Sequence, residues 1–231
     1  MAEVDRCLYC ELDGRCVLLD LSRQEFSFRP EEFTRVLDYE TGETILKEDA
    51  PLYGYYIICK GKVKLARRTT SGKRFTFEIL GPGDILGISA LAQNRQYQAY
   101  AEALEPTQIG FVDHRDFEQL LAKYPALSAA VLAKLAEEVQ ELRDRLFEAS
   151  HKGAKQRLAY LLLKLGERYG VQTQDGIVIN VPLSRTELAD LIGVARETVS
   201  LNMSALEQRG LIISEKGRII IRDEPNLRQM L

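Results

Sequence analysis

The chain has 231 residues, 45% of them apolar, which suits one large or two ordinary domains with substantial cores. It contains no apolar run of about eighteen residues and opens without a basic-then-apolar leader, so neither a membrane span nor a secretory signal is expected, and a cytoplasmic location is. The formal charge of −3 argues against a uniformly basic nucleic-acid binder, but from Ser150 onward 12 Lys and Arg stand against 9 Asp and Glu, while the rest carries 19 against 25. A mildly basic end on an acidic body fits nucleic-acid contact confined to that end.

Residues 1–24 form a cysteine-bearing arm. Cys7-Leu-Tyr-Cys10 and Cys16 give a C-x2-C-x5-C spacing that holds three of the four cysteines. In a reducing compartment, clustered thiolates serve metal binding or redox work rather than a disulfide framework. The arm is too poor in apolar residues for a core of its own, so a metal would supply its ordering energy. A structural zinc, another metal group and a thiol–disulfide sensor are all open to these residues. Zinc is the poorer metal fit, because the second cysteine pair of a closed site is absent.

Residues 25–125 read as a β-rich sensor domain. Short runs at Thr44–Lys47, Tyr53–Lys60, Lys62–Arg67, Arg74–Leu80, Asp84–Gly87, Gln98–Glu102 and Gln108–Val112 alternate with turns at Gly61, Ser71-Gly72 and Pro82-Gly83. Such a pattern indicates a sandwich, barrel or roll. A short helix over Asp116–Tyr124 closes it before Pro125. His114 is the one histidine in this region, too few for the His-and-carboxylate site of a metal enzyme, so no enzyme is expected. An interior of Tyr, Ile and Phe could host a small-molecule effector.

Residues 126–150 form one long helix. Ser128, Val131 or Leu132, Leu135, Val139, Leu142 and Leu146 recur at an average near 3.5, the spacing of a coiled-coil seam. Val131, Leu135, Val139, Leu142 and Leu146 are taken as the interface of a parallel homodimer. His151 to Gly153 is the expected hinge.

Residues 151–231 read as a winged helix-turn-helix. An amphipathic helix over Arg157–Tyr169 and a strand over Gly176–Val181 lead into it. Ser184 and Glu187 make a capping box, Leu188, Leu191 and Ile192 repeat at helical spacing, and Gly193 breaks the run. A second helix from Arg196 to Gln208 stops at Gly210, with Val199, Met203 and Leu206 as its buried stripe. Arg196, Glu197, Ser200, Leu201 and Ser204 lie on the opposite face, where a recognition helix meets base edges in the major groove. Arg196 can pair with guanine, Glu197 can accept from cytosine, and Leu201 offers only apolar contact, for example to a thymine methyl. Arg185 and Thr198, near helix N-termini, suit phosphates. Strands Leu211–Ser214 and Arg218–Arg222, joined at Lys216-Gly217, make the wing. In a two-fold dimer two such helices meet major grooves about 34 Å apart, so the expected partner is a palindromic double-stranded DNA operator.

This order resembles the family of the cyclic-AMP receptor protein and the FNR oxygen regulator. The matching pieces are Thr41-Gly-Glu-Thr-Ile-Leu-Lys, Tyr56-Ile-Ile-Cys-Lys-Gly-Lys-Val-Lys, Leu80-Gly-Pro-Gly-Asp-Ile-Leu-Gly and Gly193-Val-Ala-Arg-Glu-Thr-Val-Ser. The resemblance implies an α+β chain: an N-terminal double-stranded β-helix of cyclic-nucleotide-binding type, a long dimerisation helix and a C-terminal winged helix-turn-helix. It further implies a homodimeric transcription regulator that works with RNA polymerase. Cyclic-nucleotide binders carry a Gly-Glu-Leu-Ala-like helix start and an Arg-Ser/Thr pair; here Gly87 is followed by Ile88-Ser89-Ala90, and Tyr97-Gln98 take the place of the pair. A cyclic phosphate would lack its charge-assisted partner, so cyclic AMP is not the expected signal. The cysteine arm with Val17-Leu-Leu-Asp-Leu-Ser resembles the FNR branch, whose cysteines hold a [4Fe–4S] cluster sensitive to oxygen or nitric oxide. The fourth ligand of that branch aligns with Gly110, and Cys59, on the neighbouring strand of the family roll, is the expected substitute. Leu142 stands where FNR places a seam carboxylate, which favours a standing dimer. Leu201 stands where both branches have Arg, so a variant operator is expected.

Overall fold

The computed structural model describes residues 12, 15–91, 95–215 and 217–231. Cys7, Cys10 and Lys216 lie outside them. The chain divides into two packed units, one ending at Val139 and the other starting at Gln140.

The first unit begins with two short helices, α1 (Val17–Gln24) and α2 (Pro30–Phe33). Eight strands follow: β1 (Arg35–Tyr39), β2 (Thr44–Leu46), β3 (Gly54–Lys60), β4 (Val63–Arg68), β5 (Arg74–Leu80), β6 (Ile85–Leu86), β7 (Tyr100–Ala103) and β8 (Thr107–Asp113). They form two antiparallel sheets, β1-β8-β3-β6 and β2-β7-β4-β5. The chain crosses repeatedly between the sheets, which makes the expected roll. Strand β3 is buried on both faces over residues 54–58. On one face Tyr55 packs on Phe117 of α3 (His114–Lys123), ring centroids 4.4 Å apart. On the other, Tyr56 meets its cross-strand partner Phe111 at 5.0 Å, the kind of aromatic pair that fixes register.

Two features depart from the expected order. The residues after Cys16 are not a bare arm: α1 buries Val17, Leu18 and Leu21 in the roll core. Strand β1 is also additional, and its Leu37 is left exposed.

Helix α4 (Pro125–His151) starts on a proline, which lacks the N–H that a first turn leaves unused. Within the first unit, Leu127 and Val131 pack on the roll. This corrects the seam: Val131 is 3% exposed in its own chain and is unavailable to a partner, whereas Leu132 is 65% exposed. The reason is geometric, since neighbouring residues on a helix point about 100° apart. Leu135 is half-buried against the roll core, and Val139 is exposed.

The second unit contains the end of α4, where Leu142 and Leu146 are exposed, and then α5 (Ala154–Tyr169), β9 (Gly170–Thr173), β10 (Gly176–Ile179), α6 (Arg185–Ile192), α7 (Arg196–Gln208), β11 (Ile212–Glu215), β12 (Arg218–Ile221) and α8 (Glu224–Arg228). The strands form one antiparallel sheet, β11-β12-β10-β9. Its core is fully buried at Leu158 and Leu162 of α5, Leu188 of α6, and Val199, Met203 and Leu206 of α7. No helix among the described residues is long and apolar enough to cross a membrane.

Candidate nucleic-acid interface

Local hydrogen bonding sets the crossing of α6 and α7. Ser184 Oγ accepts from Glu187 N–H at 3.2 Å, and Glu187 Oε2 accepts from Ser184 N–H at 2.8 Å. The box thus satisfies two donors that a helix start would leave open. At the other end Gly193 adopts φ +66°, and the N–H groups of Gly193 and Val194 return to the carbonyls of Asp190 and Ala189. That left-handed turn favours glycine and redirects the chain into α7. Helix α7 ends the same way: Gly210 N–H bonds Glu207 O and Leu211 N–H bonds Leu206 O.

With Val199, Met203 and Leu206 inside, α7 presents Arg196, Glu197, Leu201 and Ser204 to solvent, and Leu201 is 73% exposed. Ser200 is half-buried and its hydroxyl donates to Arg196 O at 3.1 Å, so it must give up that bond to donate to a base, while its lone pairs stay able to accept. Thr198 is half-buried in the first turn. The N-cap of α7 is Ala195, which supplies no side-chain cap. Thr198 N–H bonds Ala195 O at 3.1 Å, which leaves the N–H groups of Arg196 and Glu197 to face an anion such as a backbone phosphate. Arg185 is half-buried, and its Nη2 donates to Ser214 Oγ of β11 at 3.0 Å. Arg218, beside the wing turn at Gly217, is exposed. The sequence places Ser214 and Arg218 at the ends of the wing strands, but no short-range pattern marks either as functional.

At the roll, Gly110 lies opposite Ile57 on the adjacent strand β3, two residues before Cys59. A Cβ placed on Gly110 would stand 3.4 Å from Cys59 Sγ. Cys59 sits where the β3–β8 register shifts, and its thiol faces Ile57 O at 3.6 Å. Cys16 is buried at the start of α1. Its neighbour Arg15 packs on Gly83, whose N–H bonds Ile58 O at 2.8 Å. Thr34 also touches the Gly110 position, and its buried Oγ1 has no partner among the described residues. The described residues hold no group of three His, Cys, Asp or Glu placed for a metal.

Tyr97 is buried in the roll core, 2% exposed. Its hydroxyl accepts from the N–H groups of Tyr53 and Gly54, both at 3.0 Å, and donates to Gly54 O at 2.8 Å. Its ring lies 3.0 Å from the position of a Cβ on Gly87. Burial pushes the Tyr55 phenol up to about 12 and Tyr56 in the same direction. The Tyr55 hydroxyl has no partner among the described residues.

Residues 36–124 match the cyclic nucleotide-binding domain family, and residues 156–230 match the Crp-like helix-turn-helix domain. The chain is 29% identical over 219 residues to a cyclic AMP receptor protein of Thermus thermophilus, covering 95% of this chain and 98% of that one. It is 24% identical over 221 residues to the transcriptional activator protein FnrA of Stutzerimonas stutzeri, covering 96% and 90%. The structure of FixK2 from Bradyrhizobium japonicum superposes with a TM-score of 0.75 at 25% identity, covering 85% and 96%.

Proposed function

We propose, for a chain that belongs to the CRP/FNR family of DNA-binding transcription regulators, that it works as a homodimer on a palindromic operator and takes its signal at the cysteines. The carrying observation is the contrast between Tyr97 and Cys59. Tyr97 is buried in the roll core, and its hydroxyl is committed to backbone. An effector there would have to displace a buried side chain and leave three backbone groups unpaired. Cys59 instead stands with its Sγ 3.4 Å from the position of a Cβ on Gly110.

Cys7, Cys10, Cys16 and Cys59 would hold a [4Fe–4S] cluster, since four thiolates are the usual donor set. The bound cluster would supply a redox centre reactive toward oxygen or nitric oxide. The Cys59 thiol, 3.4 Å from where a Cβ on Gly110 would stand, supplies the thiolate chemistry of the position it replaces. The dimer reading rests on Leu132, Val139, Leu142 and Leu146, all exposed in the single chain. Covering a Leu fully is worth about 1.5–3 kcal/mol. With Leu rather than a carboxylate at position 142, the dimer stands without the cluster, and signal loss reorients the reading helices rather than separating the subunits.

The test is purification without oxygen, with an absorption spectrum and iron and sulfide analysis, on the parent chain and on Cys59→Ser. A coloured parent with matched iron and sulfide, and a variant depleted of both, is expected. A colourless, iron-free parent would remove the cluster and leave the DNA reading intact. A variant with the parent's full iron would reject Cys59 as the fourth ligand.

A further inference from the structure

The distal half of the wing is held differently from its base. At the base, Ile212, Ile219 and Ile221 are buried, and Arg222 N–H bonds Leu211 O at 2.9 Å. Beyond Ile213 the wing turns polar: Ser214 pairs with Ile219 in the ladder, Glu215 pairs with Arg218, and Gly217 makes the turn at φ +79°. Glu215, Gly217 and Arg218 are exposed, so apolar burial does not fix the wing tip. The side chain that reaches it is Arg185, 29 residues earlier, whose Nη2 donates to Ser214 Oγ. Arg185 is the first residue of α6 and directly follows the capping Ser184, so the capping box anchors its backbone.

We propose that Arg185 is a positioning residue for DNA binding: it braces the wing through Ser214 so that the tip cation Arg218 reaches a phosphate, rather than contacting a phosphate itself. This rests on the DNA reading above. A guanidinium suits the task, because its rigid fork loses little freedom on making one oriented bond, whereas a lysine ammonium on a flexible stem does not fix an angle. The two roles for Arg185 lead to different outcomes. A direct phosphate contact makes Ser214 irrelevant. A brace makes the neutral Ser214 as important as the charged Arg185.

The experiment measures affinity of the full chain, over a series of salt concentrations, for a palindromic duplex recovered by selection from random DNA. Arg185→Ala, Ser214→Ala, the double variant and Ser214→Thr are compared with the parent, and thermal melts are run on each. The brace predicts that Arg185→Ala and Ser214→Ala weaken binding alike, by about two- to tenfold, the worth of one hydrogen bond. The double variant should be no worse than either. Both single variants should flatten the salt dependence by about the 0.9 log unit per log unit of one lost phosphate contact, although Ser214→Ala removes no charge. Ser214→Thr, which keeps the hydroxyl, should bind as the parent does. A silent Ser214→Ala beside an Arg185→Ala variant with a flattened salt slope would overturn the proposal and make Arg185 a direct phosphate contact. A parent that selects no duplex would overturn the DNA reading, and the brace with it.

Discussion

In the roll, the side chain at position 97 turns inward and its hydroxyl bonds the backbone of Tyr53 and Gly54. In the helix-turn-helix, Arg196, Glu197, Leu201 and Ser204 turn outward from a helix whose N-cap, Ala195, offers no side-chain oxygen. One unit buries Tyr97 in its core; the other leaves donors and an apolar tip facing solvent. The difference separates stability from recognition. In the second unit recognition falls to groups that folding leaves exposed, whereas in the first unit the oxygens of Glu31, Thr34 and Tyr55 that are unpartnered among the described residues are buried.

The comparison breaks most sharply at the core of the second unit. Leu188 is fully buried where α6 meets its neighbours. Leu188→Ala should cost about 2–5 kcal/mol, abolish DNA binding near the melting range and leave a separate roll transition in calorimetry. A single transition shifted as a whole would mean that the units do not melt independently. In the roll, Tyr97→Phe keeps the ring and removes the hydroxyl from three backbone partners. A loss of about 1–3 kcal/mol is expected, confined to the roll, with operator affinity unchanged at a temperature where both proteins are folded. Increased binding of a cyclic nucleotide by Tyr97→Phe, measured by calorimetric titration, would count against the burial of Tyr97 as a bar to an effector.

The smallest effect at neutral pH belongs to Tyr55. Its unfolded phenol ionises near pH 10, and the folded one near 12 because burial disfavours the anion. The stabilising contribution is therefore whole below about pH 10 and is lost as the pH rises towards 12. Tyr55→Phe should be near neutral at pH 7, since the hydroxyl has no partner among the described residues, and should flatten the alkaline fall in stability. An unchanged alkaline limb would assign that fall to Tyr56 or other groups.

What could be read from the sequence follows the range of the interactions. The capping box at Ser184 and Glu187 and the breaks at Gly193 and Gly210 act within a few residues, so spacing alone locates α6 and α7. The buried stripe of Val199, Met203 and Leu206 follows from the helical period. Strand β1 escapes because its residues do not alternate: Leu37 is exposed beside half-buried Val36. The seam of α4 is ambiguous because Val131 and Leu132 are both apolar, and only the fold of the roll decides which one is covered. Helix α1 is eight residues long and draws its stability from a core assembled by later strands. The Arg185–Ser214 bond spans 29 residues and leaves no local trace. The burial of Tyr97 shows in the sequence only as the absence of an arginine, and its three backbone bonds come from the roll.

The most direct test is selection of duplexes from random DNA by the full chain, prepared without oxygen and at physiological ionic strength, repeated with Arg196→Ala. The parent should recover a two-fold symmetric sequence with half-sites about one helical turn apart. The variant should bind that sequence about 1–3 kcal/mol more weakly and lose discrimination at one base pair in each half-site. Recovery of no preferred sequence in any redox state, or an unchanged preference in the variant, would contradict the account of α7 as the reading helix.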